Sequence, residues 1–151
     1  MSNIRRAVPS DLPEMLELAN EFFDASAYTE KLRDYMYFVE LGKQFILDSN
    51  KVAFVWEKDD ALVGMIIGSL VQSPYNPATT VAVENMWWVK EEHRNSVNSM
   101  KLLKRFEEWG KAMGADIVTM VSLEKLNPEK IDKIYTRYGY SKVESTYMKE
   151  I

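Results

Sequence analysis

The chain has 151 residues, of which 46% are hydrophobic and 28% charged, so we expect a single globular domain over residues 1–151. It has no cysteine and one histidine, which excludes disulfides and cysteine nucleophiles and argues against a metal site. The net charge of −4 argues against nucleic acid as a partner, because neutralising phosphates requires a basic surface.

The first third of the chain predicts one strand and two helices. Ile4 to Val8 is a short candidate strand that ends at Pro9. Apolar residues then recur at helical spacing from Leu12 to Phe23, and again from Leu32 to Ile46.

The middle third predicts three strands in succession: Val52 to Glu57, Ala61 to Val71, and Thr80 to Val89. The polar turn Lys58-Asp59-Asp60 joins the first two as a hairpin. The second strand is almost continuously apolar, which is typical of a strand that is buried on both faces.

The last third predicts two helices and three strands. Ser96 to Met113 is an amphipathic helix followed by a strand from Asp116 to Val121. A second helix begins at Asn127-Pro128 and runs to Arg137, and the final short strands are Tyr140 to Val143 and Thr146 to Lys149. The strand–helix–strand crossover implies locally parallel strands, so we predict an α/β fold with a mixed sheet of about six to seven strands and about four helices.

The N-terminal residues and the lengths of the apolar runs indicate where in the cell the protein is expected. Met-Ser-Asn-Ile-Arg-Arg opens the chain without a following apolar segment, and no apolar run approaches the roughly 18 residues of a membrane span. The sequence therefore predicts no signal peptide, no membrane partner and a cytoplasmic location.

This order of elements, together with three segments, carries a family resemblance over essentially the whole chain. The segments are Ile-Arg-Arg-Ala-Val-Pro-Ser-Asp near the start, Trp87 to Ser99 between strand and main helix, and Ile134-Tyr135-Thr136-Arg137-Tyr138-Gly139-Tyr140. They resemble the GNAT acetyltransferase superfamily. The double tryptophan and the Gly-Tyr ending also resemble bacteriophage-encoded members.

The resemblance implies acetyl-CoA as co-substrate, held by a strand and by the loop after it. The strand would form main-chain hydrogen bonds with the pantetheine arm through Trp87, Trp88 and Val89, although both tryptophans could instead be core residues, one on each face. The pyrophosphate would lie against the loop formed by Arg94, Asn95, Ser96, Val97, Asn98 and Ser99, at a helix N-terminus.

Two loop positions depart from the small residues of the family. Ser99 is a modest change, whereas the β-branched Val97 resists positive φ and crowds a nearby phosphate. Glycine is dispensable at position 97 if the chain there is already helical, since the N–H groups remain available.

The sequence offers two candidate catalytic side chains, one from the resemblance and one from its position in a strand. Tyr135 matches the tyrosine that protonates the departing thiolate, and packing against the sheet is its alternative role. Glu84 is the candidate general base because a carboxylate in an apolar strand is costly unless it is used. Strict alternation places Asn85, not Glu84, on the face of Trp87, and a bulge would reverse this.

The implied function is transfer of an acetyl group to a primary amine of a small molecule or a protein. Glu21, Asp24 and Tyr28, with Tyr75 in the loop from Gln72 to Thr79, are candidate contacts for a cationic acceptor. The alternative is a GNAT-shaped binding or assembly module that has lost catalysis, which Val97 motivates. A homodimer is expected only because such proteins are often dimers.

Overall fold

The structure is a computed structural model, and it describes residues 2–151. The strands are β1 (Ser2–Arg6), β2 (Lys51–Lys58), β3 (Ala61–Gln72), β4 (Thr80–Val89) and β5 (Ile117–Thr119). The α-helices are α1 (Leu12–Ala25), α2 (Tyr35–Leu47), α3 (Val97–Ala112) and α4 (Pro128–Arg137).

The strands form one mixed sheet in the order β1-β2-β3-β4-β5. The first four strands are antiparallel neighbours, and β5 lies parallel to β4 after the crossover through α3. The α/β class and the mixed sheet predicted from the sequence are thus confirmed, as is the number of α-helices.

The two faces of the sheet are covered by different helices. Met65 and Ile67 of β3 belong to a cluster with α1 and α2, whereas Val63 and Ile66 belong to a second cluster with α3. Successive side chains of a strand point to opposite faces, so β3 is apolar at nearly every position because both of its faces are buried.

The sheet has five strands rather than six to seven, because the two expected near the C-terminus do not form. Residues 140–151 adopt no regular structure, and Val143 and Tyr147 are 84% and 95% exposed. Strand formation depends on burying one face against a partner, and the alternating side chains of this segment find none among residues 2–151.

The strand β5 is also shorter than the expected Asp116 to Val121. It pairs with β4 only from Ile117 to Thr119, opposite Val81 to Val83. Beyond Thr119 the chain diverges from β4. This divergence opens the gap in which the candidate site lies.

Candidate active site

A β-bulge in β4 determines where the candidate base points. Ile67 of β3 is opposite Met86, but the next residue, Gly68, is opposite Glu84, so Asn85 is extra. Ile66 and Gly68 share a face of β3, and their partners are Trp87 and Glu84. The bulge therefore places Glu84 on the same face of β4 as Trp87. Without it, strict alternation would place Glu84 on the opposite face.

Among residues 2–151, no strand pairs with the side of β4 that faces away from β3 after Val83. The N–H of Lys90 donates to the carbonyl oxygen of Val63 on β3 at 2.8 Å. Main-chain groups alternate in direction along a strand, so those of Trp87 and Val89 point toward the gap. Those of Trp88 point at β3, which leaves Trp87 and Val89 as the candidates for main-chain contacts with a pantetheine arm.

A cleft of about 70 Å³ lies where β4 and β5 separate. Its wall contains residues from β4, α1, α4 and the connecting segments, namely Phe22, Tyr28, Glu84, Asn85, Trp87, Val121, Leu123, Leu126, Ile131 and Tyr135. The structure thus brings both candidate catalytic side chains, Glu84 and Tyr135, into one cleft.

Glu84 is the buried carboxylate of this cleft, with 5% of its surface exposed. Burial raises its pKa to about 8, while the hydrogen bond from the N–H of Val121, at 3.3 Å to Oε1, acts in the opposite direction. A carboxyl group with such a pKa exchanges its proton near neutral pH, which suits a general base.

Tyr135 lies on the opposite wall, and its hydroxyl donates to the carbonyl oxygen of Val121 at 2.6 Å. Burial, and to a smaller degree the charges of Glu84 and Tyr140, raise its pKa well above the ordinary value of a phenol. The hydroxyl therefore stays protonated at neutral pH. Val121 bonds to Glu84 through its N–H and to Tyr135 through its carbonyl, so it bridges the two walls.

The two tryptophans pack on opposite faces of the sheet. Trp88 joins the cluster with α1, and its Nε1 donates to Oε1 of Glu21 at 3.1 Å. Trp87 packs against the cluster with α3, and its ring centroid lies 6.3 Å from that of Tyr135. Trp87 lines the cleft, and its buried Nε1 has no hydrogen-bond partner within residues 2–151.

The loop before α3 obtains its backbone geometry without glycine. Asn95 adopts a φ of 63°, in the left-handed region that asparagine tolerates. Ser96 is the N-cap and accepts from the N–H of Ser99, and Val97 is the first helical residue, with 72% of its surface exposed. Position 97 is therefore helical, and glycine is not required there for backbone reasons.

Some polar groups of this loop form hydrogen bonds within the described chain, and others do not. In the described chain, no group accepts a hydrogen bond from the N–H of Val97 or Asn98. Ser99 is buried and its hydroxyl donates to the carbonyl of His93 at 3.5 Å, so it is part of the packing.

Arg94 is partly committed to the end of β4. Its Nε donates to the carbonyl oxygen of Val89 at 2.7 Å, and its guanidinium lies over the Trp88 ring at 4.4 Å. Its terminal nitrogens make no hydrogen bond to residues 2–151, so they remain free donors near the loop.

The residues expected on the acceptor side are distributed unevenly. Tyr28 lines the cleft. Glu21 and Asp24 are instead engaged by Lys90 and Arg33. Tyr75 is 94% exposed and is not part of the wall.

Sequence reasoning missed several residues of the site. Gly68 sits opposite the bulge, and a Cβ there would lie 2.1 Å from Cε1 of Phe106. An isolated glycine inside a strand is the signal that could have indicated this bulge. Leu123, Leu126 and Ile131 carry no comparable signal, because apolar residues at helix and loop positions are equally typical of a core.

A sequence model of the Acetyltransferase (GNAT) family matches residues 12–140. The match spans most of the chain, including β4, the loop before α3, and Tyr135. The chain belongs to this family of acetyltransferases. No curated protein matches the chain in sequence.

Solved structures share the fold at low sequence identity. An acetyltransferase with acetyl-CoA from Clostridium acetobutylicum has a TM-score of 0.81 at 12% identity, with 99% of this chain and 96% of that chain covered. Aminoglycoside N-acetyltransferase AAC(6')-Iy in complex with CoA has a TM-score of 0.78 at 12% identity, with coverage of 100% and 95%. A ribosomal-protein-alanine N-acetyltransferase from Brucella melitensis biovar Abortus 2308 has a TM-score of 0.73 at 16% identity, with 99% of each chain covered.

None of the helices in residues 2–151 is both long enough and apolar enough to cross a membrane. In the same residues, no three His, Asp or Glu side chains gather in a way that could hold a metal ion.

Proposed function

We propose that this protein is an acetyl-CoA-dependent N-acetyltransferase with Glu84 as general base and Tyr135 as general acid. The observation that carries the proposal is the bridge through Val121, which holds a buried carboxylate and a phenol on facing walls of one cleft. That cleft adjoins the unpaired edge of β4.

The residues present fit acetyl-CoA. Trp87 and Val89 offer main-chain groups on the open edge of β4, although the Val89 carbonyl is already bonded to Arg94. The unused N–H groups of Val97 and Asn98 lie at the positive end of α3 and suit a pyrophosphate, with Arg94 as a further donor.

Acetyl-CoA supplies an activated acetyl group as a thioester. Glu84 in its ionised form accepts a proton from the ammonium of the acceptor, directly or through water, so that the nitrogen can act as a nucleophile. The new C–N bond replaces the C–S bond, and Tyr135 provides the proton that the departing thiolate takes up. The nitrogen loses its second proton as the amide forms, and this proton restores the phenol of Tyr135. The raised pKa of Tyr135 ensures that this proton is present at neutral pH.

The acceptor on this proposal is a primary amine of a small molecule or a protein. Structural neighbours include enzymes of both kinds, one named for aminoglycosides and one for the alanine of a ribosomal protein. A cytoplasmic location, a homodimer and kinship with bacteriophage-encoded members remain predictions. Sedimentation velocity would test the homodimer.

Calorimetric titration with acetyl-CoA, followed by thiol-release assays with a panel of amines, tests the proposal. We expect binding in the micromolar range, and turnover that falls about 100-fold or more in Tyr135→Phe and Glu84→Gln, since general acid–base catalysis typically contributes about 10²–10⁴-fold. Both variants should bind acetyl-CoA as the parent does, because neither residue lies in the α3 loop. Absence of binding at high micromolar acetyl-CoA would sink the proposal.

The alternative is a binding or assembly module that has lost catalysis. The exposed side chain of Val97 beside the unused N–H groups favours it, since it occupies space that a phosphate would approach. Val97→Gly separates the two functions. If the parent binds no CoA and this variant does, the module is the better description.

A further inference from the structure

The cleft passes through the sheet, and its two ends have different surroundings. Phe22 belongs to the cluster on the α1 and α2 face, and Tyr28, Leu123 and Leu126 pack against that cluster. Trp87 packs on the α3 face. A cofactor held at the N-terminus of α3 approaches from the α3 face, which leaves the α1 and α2 face for the acceptor.

Three carboxylates of α1 and of the segment that follows it are paired with cations of the chain. Glu21 accepts from Nε1 of Trp88 and from Lys90. Arg33 binds two further carboxylates, Asp24 near the end of α1 at 2.7 Å and Glu30 on the segment after α1 at 3.0 Å. A polyamine or aminoglycoside needs several unpaired carboxylates to bind its separate ammonium groups, and here Lys90 and Arg33 oppose it.

The Arg33 side chain packs beside the aromatic cluster of α1. Its side chain is 3% exposed, and its guanidinium lies 5.3 Å from the centre of the Phe23 ring. A positive charge therefore lies next to the aromatic cluster of α1. This arrangement discriminates against acceptors that carry many charges.

The acceptor end of the cleft is aromatic and apolar. The Tyr28 ring lies 6.2 Å from that of Phe22 and 5.9 Å from that of Phe23, and Leu123 and Leu126 complete the wall. The free volume of about 70 Å³ is small and the cleft is open to solvent, so it can receive the amine end of an acceptor and the carbons next to it while the rest of the molecule extends outward. A slim apolar group with one amine fits such a space, because the rings contact the body and stabilise a single ammonium.

We propose that the acceptor is a primary monoamine on a short chain with an apolar or aromatic body, and that Tyr28 determines this specificity. This inference rests on the proposed acetyltransferase function and narrows its acceptor. Glu84, at the bottom of the cleft, is the one carboxylate of its wall and meets the single amine.

A comparison of 2-phenylethylamine and n-hexylamine with spermidine and an aminoglycoside tests the acceptor class, with kcat/KM measured by thiol release. We expect the two monoamines to exceed both polycations by roughly tenfold or more. Higher kcat/KM for a polycation would overturn the acceptor class while leaving the acetyltransferase function intact. No turnover with any amine would instead overturn the proposed function and this inference with it.

Tyr28→Ala tests the specificity residue, with Tyr75→Ala as the matched control, because Tyr75 is exposed and lies outside the wall. We expect Tyr28→Ala to raise KM for 2-phenylethylamine about tenfold, with the Kd for acetyl-CoA unchanged. Tyr28→Phe, which keeps the ring, should restore most of the affinity. An unchanged KM in Tyr28→Ala would overturn the assignment of Tyr28.

Discussion

The two walls of the cleft differ in how the rest of the molecule holds them. On one wall, β4 carries Glu84 and Trp87 inside a sheet that is covered on both faces. On the other wall, Tyr135 belongs to a region, residues 111–151, in which every residue is at least partly exposed. The proposed base is therefore built on the core, and the proposed acid on a lightly packed segment.

Because of this difference, we expect mutations in one wall to change stability and mutations in the other to change turnover. Changes on the β4 wall should affect the free energy of unfolding, because they disturb packing on both faces of the sheet. Changes on the α4 wall should affect turnover with little effect on unfolding. The walls are connected by the two hydrogen bonds at Val121 and by the contact of the Trp87 and Tyr135 rings, and we expect these few contacts to be too weak to make one wall depend on the other for folding.

Phe106→Ala should cause the largest loss of stability. Phe106 is fully buried, and its ring covers Gly68 beside the bulge. We expect the free energy of unfolding in urea to fall by about 3–5 kcal/mol, as for other large-to-small core changes. Val143→Ala on the exposed C-terminal segment is the control and should change it by less than about 0.5 kcal/mol. Similar losses in both variants would contradict the contrast between the walls.

Gly68→Ala should have the next largest effect. The added Cβ would collide with the Phe106 ring and with the Val83 carbonyl oxygen at 2.8 Å. We expect a loss of about 1–3 kcal/mol from overpacking. In a Phe106→Ala background the same change should cost clearly less, since one of the two collisions is absent. An equal loss of stability in both backgrounds would show that the Phe106 ring is not the reason why glycine is needed at position 68.

Glu84→Gln should have an effect whose size depends on pH. The pKa of Glu84 rises from 4.5 to about 8 on folding, so the native state favours the neutral carboxyl. That contribution to stability is complete below pH 4.5 and is lost as the pH rises through 8. Glutamine mimics the neutral form, so the variant should gain stability over the parent between pH 5 and 8.5 in urea titrations. Glu144→Gln, on an exposed residue, should follow the parent at each pH.

Tyr135→Phe should have the smallest effect on stability. It removes the hydrogen bond to the Val121 carbonyl, which costs about 0.5–1.5 kcal/mol, and partial exposure places it at the low end. Thermal unfolding should therefore be nearly unchanged in a variant whose turnover is expected to collapse. A large drop in Tm would mean that the α4 wall supports the fold after all.

Much of the fold was predictable because its signals are local. The hairpin of β2 and β3, the amphipathic α3 and the start of α4 at Pro128 all follow from spacing and turn residues. The two C-terminal strands were predicted wrongly, because alternation along Tyr140 to Lys149 does not reveal whether a partner strand is within reach.

The candidate site was predictable in its residues more than in its geometry. The sequence predicts Tyr135 and Glu84 as catalytic candidates, and the structure brings them into one cleft, while their roles stay predictions. Glu84 shares a face of β4 with Trp87 only because of the bulge at Asn85. The bulge depends on the pairing register of β4 with β3, which is a long-range feature that the local sequence does not reveal. The neutralisation of Asp24 by Arg33 could not be anticipated either, since it depends on how the loop after α1 folds back.

The left-handed Asn95 has a consequence for how such loops are found in other genomes. Two residues before α3, it provides the turn that lets helical N–H groups emerge at Val97 and Asn98 without a glycine at position 97. A sequence motif that requires glycine covers only one way to form this turn. A pattern written in backbone conformation, with asparagine allowed at the left-handed residue, would also retrieve chains that reached the same loop by a different substitution history.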